Sequence, residues 1–361
     1  MGTRKTEAVL MFDYEVELKE LKSVNNPNSI HGIFPYRGKI SALDALNMIE
    51  QFPKEITLLD PFCGSGTIVA ESQKVGIRAI GIDNNPIAIT ISNAKVMSSN
   101  LFEQKHTELL IEKAEAIRVK DVEEMPAWPN KHFHPNTASQ IMRLKQFYNE
   151  MNDFERGAFF GAIALSARGC NHYKWSSNQI GSIQEPLRDI DFFEKFRNKI
   201  RKNVPHLLPE THAEIHHHDT RQLSEIISPN SIDVVYTSPP YFDALDYTSY
   251  YTKFVYEIMD QHDRLAIKKG LIQTFSKYAE DMKEVLIEVR KVLKPGGKAI
   301  FVVGDKKTKD GVINGGDFFS NLIDWKPDYV KQRGYTGSSS QIWDSINKTD
   351  RKEQVIVWTK N

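Results

Sequence analysis

Asp60-Pro61-Phe62-Cys63-Gly64-Ser65-Gly66-Thr67 is the stretch that decides the fold. It follows an apolar run at residues 56–59 and leads into a segment that reads as a helix. A strand, a Gly-x-Gly turn and a helix, in that order, let backbone approach a ligand closely, because Gly64 and Gly66 carry no Cβ. The N-terminus of the helix offers unpaired N–H groups to an anionic part of the ligand, such as a carboxylate. Asp83 ends the next apolar run, 78–82, where an acid can hold ribose hydroxyls. Taken by itself this is a general nucleotide fingerprint, or simply a tight turn. The pattern lacks the third glycine of the dinucleotide spacing, and no Gly-Lys-Ser/Thr follows, which argues against NAD and against a P-loop.

Outward from this loop, strands and helices alternate. A helix is expected over 41–51, where apolar residues recur at helical spacing. Further strands are expected at 214–218, ending at Asp219, at 233–236 and at 298–303. A helix over 278–293 and Lys294-Pro295-Gly296-Gly297 precede the last of these, and 330–335 and 354–359 read as two closing strands. Such alternation predicts a doubly wound, mostly parallel sheet with ligands at the carboxyl ends of its strands. The alternation stops between 99 and 211, a stretch mostly helical in pattern, as over 137–168. This divides the chain into 1–98, an insertion at 99–211, and 212–361.

A second loop, Thr237-Ser238-Pro239-Pro240-Tyr241, lies just past the strand at 233–236. Two successive prolines stiffen the turn and remove two N–H donors. The Pro239 carbonyl and the Ser238 hydroxyl can then act as acceptors aimed at one point. An exocyclic amine on a base is a poor nucleophile because its lone pair is delocalised into the ring. Two acceptors for its hydrogens favour a pyramidal nitrogen and free that lone pair for in-line attack on a methyl sulfonium. Tyr241 can stack on the ring and hold it. The plain alternative is a proline-rich turn after a strand, and the first loop weighs against it.

Together the two loops resemble those of the amino-directed DNA methyltransferases, which make N4-methylcytosine or N6-methyladenine. Residues 60–67 are similar to the family's cofactor loop and 237–241 to its catalytic loop. The Thr-Ser-Pro-Pro-Tyr form resembles the cytosine-N4 enzymes more than the Asp-Pro-Pro-Tyr form common among adenine-N6 enzymes. His31-Gly32-Ile33-Phe34-Pro35-Tyr36-Arg37-Gly38-Lys39 resembles the family's extra cofactor segment, and Asp246-Tyr247 and the stretch 292–297 also recur in similar proteins. The resemblance covers roughly 30–98 and 212–361.

It implies an α/β chain with the class I S-adenosylmethionine-dependent methyltransferase fold, Rossmann-like, with a helical insertion. It implies catalytic roles for Ser238, Pro239, Pro240 and Tyr241. It implies S-adenosyl-L-methionine as cofactor, held by Asp60, Phe62, Gly64, Ser65, Gly66, Thr67 and Asp83, with Phe34 and Asp219. Asp219 could accept from the adenine amino group or serve as a strand-end turn or cap. The expected reaction is direct, metal-free methyl transfer to N4 of a cytosine flipped out of double-stranded DNA. Adenine N6 is the near alternative. RNA, a protein amide, or nucleic-acid binding without catalysis are more distant ones. Cofactor loop first and catalytic loop last resembles the α-type order, which would make 99–211 the target-recognition region, although the insertion precedes the third strand rather than the catalytic loop. A companion restriction endonuclease is a further implied partner.

Bulk composition bounds the rest. The 47 basic and 47 acidic residues cancel, so nucleic-acid binding would need a local basic face. Two cysteines, Cys63 and Cys170, suggest a reducing compartment, and the absence of a long apolar run or secretory leader makes the cytoplasm the default with no membrane partner. Oligomeric state leaves no mark in the sequence. Residues 195–202 hold five basic residues and no acid, either a solvated helix face or a phosphate-contacting surface. Asn171-His172-Tyr173-Lys174-Trp175 could pack between subdomains or line a cleft. His216-His217-His218 invites a zinc reading, but successive strand residues alternate faces. The glycine- and lysine-rich stretch 304–318 reads as a flexible loop, a lid or a phosphate contact. Cys63 reads as a small packing residue.

Overall fold

The computed structural model describes residues 15–18, 29–36, 38, 40–170, 183, 185–242, 246–309, 311–336 and 350–361. The cluster at 171–175, the turn-rich residues 25–28, Arg37 and Lys39 lie outside them. The main sheet is built from β1 (Thr57–Asp60), β2 (Arg78–Asp83), β3 (Ala213–His217), β4 (Ile232–Thr237) and β5 (Leu293–Gly304). A separate ribbon, β6 (Lys306–Thr308) and β7 (Gly311–Ile313), follows. Two long strands, β8 (Tyr329–Thr336) and β9 (Asp350–Thr359), complete the sheet.

The strand order is β3-β2-β1-β4-β5-β9-β8. The first five strands run parallel, and β9 joins β5 antiparallel, with β8 outside it. β4 is buried at every position, as a strand covered on both faces must be. The pleat sorts its residues between two cores. Val234 and Tyr236 join Leu58, Ile300 and Val302 on one face, while Val235 joins Leu59, Ala299 and Phe301 on the other. The strand order reverses direction between β1 and β4, which puts the switch point where their carboxyl ends meet. This is the Rossmann-like, doubly wound, mostly parallel sheet that the sequence leads one to expect.

The helices are α1 (Ala42–Ile49), α2 (Thr67–Lys74), α3 (Pro86–Val96), α4 (Gln104–Ala116), α5 (Ala127–Asn130), α6 (Pro135–Lys145), α7 (Asp153–Cys170), α8 (Phe192–Asn203), α9 (Tyr251–Met259), α10 (Arg264–Gly270), α11 (Phe275–Val292) and α12 (Gly315–Ser320). Asn85 caps α3, accepting from the N–H groups of Ile87 and Ala88, with Pro86 at the first helical position. α11 buries Tyr278, Met282, Val285, Leu286, Val289 and Val292, a stripe at helical spacing.

The expected helical stretch 137–168 is two helices. α7 begins at a reciprocal cap in which the Glu155 N–H donates to Asn152 Oδ1 (2.9 Å) and the Asn152 N–H to Glu155 Oε2 (3.0 Å). The insertion helices pack into the main body. α7 lies against α3, α8 and α9 and is buried along most of its length. Glycines at 157 and 161 permit this, because a Cβ would sit 2.3 Å from Ala94 Cβ at the first and 1.9 Å from the Ile33 carbonyl oxygen at the second. α8 carries the basic run 195–202, and three of its five cations are already engaged. Arg197 pairs with Glu108 at 2.9 Å, Arg201 with Glu194 at 3.1 Å, and the buried Lys199 Nζ donates to the Gly32 carbonyl at 2.9 Å. Burial pushes the Lys199 ammonium down to about 8.

Candidate active site

A cleft of about 810 Å³ opens at the carboxyl ends of β1, β2 and β4. Of the residues expected at a site, Asp60, Phe62, Gly64, Ser65, Thr67, Asp83, Asp219, Ser238 and Pro240 line it. Both loops therefore meet at one cleft. Four expected residues do not line it. Gly66 shapes the loop from behind, with φ +70° and no room for a Cβ beside Ser92 (2.9 Å). Phe34 is buried beside a smaller cavity that shares Tyr36 and Tyr247 with the main one. Pro239 is buried and Tyr241 half-buried, next to the lining residues Ser238 and Pro240 in the chain.

At the donor end the loop is fixed from several sides. The Gly64 N–H donates to Asp83 Oδ2 (2.9 Å), and the Asn85 N–H to Asp83 Oδ1 (2.8 Å). Ser92 Oγ donates to the Gly64 carbonyl (2.8 Å), and Lys95 Nζ to Ser65 Oγ (3.1 Å). Asp60 Oδ1 accepts from Thr237 Oγ1 at 2.6 Å and from the Phe62 N–H at 3.2 Å, tying the end of β1 to the residue that opens the second loop. Burial pushes the Asp60 carboxyl up to about 7 despite those bonds. Burial likewise raises Asp83 to about 6, against the hydrogen bonds from Asn85 and Gly64. Thr67 Oγ1 is buried with no protein partner among the described residues.

Asp219 takes the capping role: its Oδ1 accepts from the Arg221 N–H at 2.9 Å. It also reaches the cleft wall. Burial would raise its carboxyl, but the Arg221 guanidinium holds it below the usual range. Arg221 also reaches Asp281 (2.7 Å) and the Gly270 carbonyl (3.2 Å), and so braces the wall formed by residues 270–272.

The acceptor end is held by hydroxyl and carbonyl contacts. Ser238 Oγ donates to the Tyr241 hydroxyl at 3.2 Å, and that hydroxyl lies 3.5 Å from Glu353 Oε1. Tyr278, buried on α11, donates to the Pro240 carbonyl at 2.5 Å and packs on Phe242 with ring centroids 4.7 Å apart. Phe242 itself has φ +49°, a conformation its side chain disfavours.

Sequence reasoning missed Tyr36, whose ring approaches Gly64, and Tyr247, Lys95 and Tyr278. Tyr36 stands two residues beyond Phe34 in the same segment, and Tyr247 lies in the recurring Asp-Tyr pair. Lys95 and Tyr278 had no local signal. The three histidines do not gather a metal site: His217 Nε2 lies 3.3 Å from the Asn84 carbonyl and His218 Nε2 3.1 Å from that of Gln222. Among the described residues no group of three or more potential ligands is placed to hold a metal, and no helix is long and apolar enough to cross a membrane.

Comparison with known proteins places this geometry. A family profile described as D12 class N6 adenine-specific DNA methyltransferase matches residues 38–293, and one described as DNA methylase matches 232–361. The chain is 22% identical to the type II methyltransferase M.MjaII of Methanocaldococcus jannaschii, over 82% of this chain and 76% of that one. It is 42% identical to M.BsoBI, a type II methyltransferase of Geobacillus stearothermophilus, over 18% of this chain and 13% of that protein. Similar solved structures include a TehB-like S-adenosylmethionine-dependent methyltransferase from Corynebacterium glutamicum (TM-score 0.34, 11% identity, 88% of this chain and 87% of that chain). Another is a S-adenosylmethionine-dependent methyltransferase from Methanosarcina mazei (TM-score 0.37, 11% identity, 86% and 95%). The chain belongs to the D12-class family of DNA methyltransferases and takes its methyl group from S-adenosylmethionine.

Proposed function

We propose that the chain methylates the exocyclic N4 of cytosine in double-stranded DNA, as the modification partner of a restriction endonuclease. The observation that carries the choice of base is Ser238, a neutral hydroxyl at the cleft where the commoner adenine loop has a carboxylate. The type II methyltransferase relatives support the modification role.

The residues of the cleft suit the cofactor. Three carboxylates, Asp60, Asp83 and Asp219, line it and favour a ligand bearing sulfonium and ammonium charges. The buried, unpartnered Thr67 hydroxyl can serve a polar group of that ligand. Gly64, with φ +51°, lets the loop backbone approach. In this reading Asp83 holds the ribose hydroxyls, and the 64–67 backbone with Thr67 holds the carboxylate end. Phe62 and Asp219 flank the adenine, Asp60 faces the cationic end, and Phe34 backs Tyr36. When bound, the cofactor supplies an electrophilic methyl group. Ser238 Oγ and the Pro239 carbonyl accept the two amino hydrogens of the flipped base, and Tyr241 covers its ring. Tyr278 fixes the second proline through its carbonyl. Residues 99–211 are then the region to examine for target choice, on the solvent-facing sides of α4 to α8.

The second reading is N6 of adenine with the same residues in the same roles, favoured by the description of the profile that matches 38–293. Incubation with DNA and cofactor, digestion to nucleosides and mass measurement separates the two. N4-methylcytosine is expected, and N6-methyladenine would overturn the base assignment.

A further inference from the structure

We propose that the β6–β7 ribbon is a DNA-contacting arm, with Lys306 and Lys309 on the phosphates and Val312 against the groove wall next to the target base. The proposal rests on DNA as the substrate and not on which base is methylated.

Place is the first support. β5 ends at Gly304 and the ribbon begins two residues later. Gly304 lies against the ring of Tyr241, where a Cβ would come 2.9 Å from Tyr241 Cδ2. The ribbon therefore rises from the rim of the acceptor end. Its root is braced, because Asp305 Oδ1 accepts from the Gly315 N–H (3.0 Å) and from Gln354 Nε2 (2.7 Å). That carboxylate, though exposed, is thus engaged by the Gly315 N–H and the Gln354 amide at the foot of the ribbon.

Surface chemistry is the second support. Lys309 is exposed, and Val312 is 62% exposed on a strand that, among the described residues, pairs with the other half of the ribbon alone. Phe275, 45% exposed, lies beneath Lys306, with Nζ 6.0 Å from its ring centroid. Exposed apolar groups between cations at the mouth of a cleft suit a polyanion with apolar edges. A two-stranded ribbon is also of a size that the major groove admits. A chain of zero net charge needs such a local basic element to hold DNA.

The test measures binding of the full-length protein to a fluorescent random-sequence duplex over a salt series. Lys306→Ala with Lys309→Ala should lower the slope of log affinity against log salt by about 2, since each phosphate contact contributes about 0.9. Cofactor affinity should stay at the wild-type value, which also shows that the variant is folded. Val312→Ser should lower kcat/KM for DNA with an unchanged slope. Lys283→Ala with Lys326→Ala, in the basic groove lined also by Arg290 and Lys360, should leave the slope as in wild type. An unchanged slope in the ribbon variant, or an equal fall in the groove variant, overturns the proposal. The base assignment stands or falls separately, on nucleoside masses.

Discussion

The two ends of the cleft are built differently. At the donor end, side chains from β2, α3 and β4 reach the 60–67 loop: the half-buried Asp83 and the buried Ser92, Lys95 and Thr237 each bond to it. At the acceptor end, the 238–241 loop is held by the Ser238–Tyr241 hydroxyl pair, by Glu353 and by Tyr278, and positive φ angles occur at Phe242 (+49°) and Tyr250 (+57°) beyond it. The donor end serves one small ligand of constant shape, and a fixed cradle lowers the cost of ordering it. In the proposed reading the acceptor end receives a nucleotide drawn out of a duplex.

That contrast can be broken by substitution. The largest effect should come from Gly66→Ala. It places a Cβ about 2.9 Å from Ser92 in a left-handed conformation, and should destabilise the protein by about 2–4 kcal/mol while weakening cofactor binding. Chemical denaturation and calorimetry would show both. Asp83→Ala comes next. Losing a charged acceptor shared by Gly64 and Asn85 should raise the cofactor Kd by about 10–100-fold, and an unchanged Kd would remove Asp83 from the donor site. Tyr241→Ala should do the reverse, lowering kcat/KM for DNA by about 10–100-fold through lost stacking while leaving cofactor Kd alone.

A pH series sharpens the comparison further. Burial pushes the Asp60 carboxyl up to about 7, and desolvation pushes the half-buried Asp83 carboxyl up to about 6. A cationic ligand favours their ionised forms, so cofactor affinity should fall by about tenfold between pH 8 and pH 5.5. The stability sign is opposite. A carboxyl raised from 3.8 to about 7 costs the ligand-free fold nothing at low pH, and that cost grows as pH rises toward 7. Asp60→Asn should therefore stabilise the ligand-free protein by about 1–3 kcal/mol at pH 8, with the gain gone by about pH 4. It should weaken cofactor binding at pH 8. The smallest effect is expected from Lys199→Met, which removes the bond to the Gly32 carbonyl and loosens the segment carrying Phe34 and Tyr36. Cofactor Kd should rise about 3–10-fold with kcat at saturation unchanged, and Lys199→Arg should restore part of the loss.

Much of the fold was legible because local and global signals agree. The apolar runs ending at Asp60 and Asp83 became β1 and β2 within one residue, since a parallel strand inside the sheet is covered on both faces and leaves a continuous apolar trace, while the polar edge strand β3 was placed within one residue by the alternation and by Asp219. The edge arrangement was not legible, because nothing in residues 329–359 states that the later strand sits inside the earlier one. The break between α6 and α7 was legible in Asn152 and Glu155, but the apolar periodicity on either side masked it. At the site, the glycines and prolines were readable because their backbone chemistry is local. Lys95, Lys199 and Tyr278 were not, because each acts across 30 or more residues of sequence on a carbonyl or hydroxyl that only the fold brings near.

The central claim is that one cleft brings a fixed methyl donor to an amino group held by Ser238 and Pro239. Mapping modified bases in the DNA of cells that express the protein tests it most directly. N4-methylcytosine at one short recurring sequence is expected, lost when Ser238 and Tyr241 are both replaced by alanine. N6-methyladenine at such a site, or N4-methylcytosine that persists in the double variant, would contradict it.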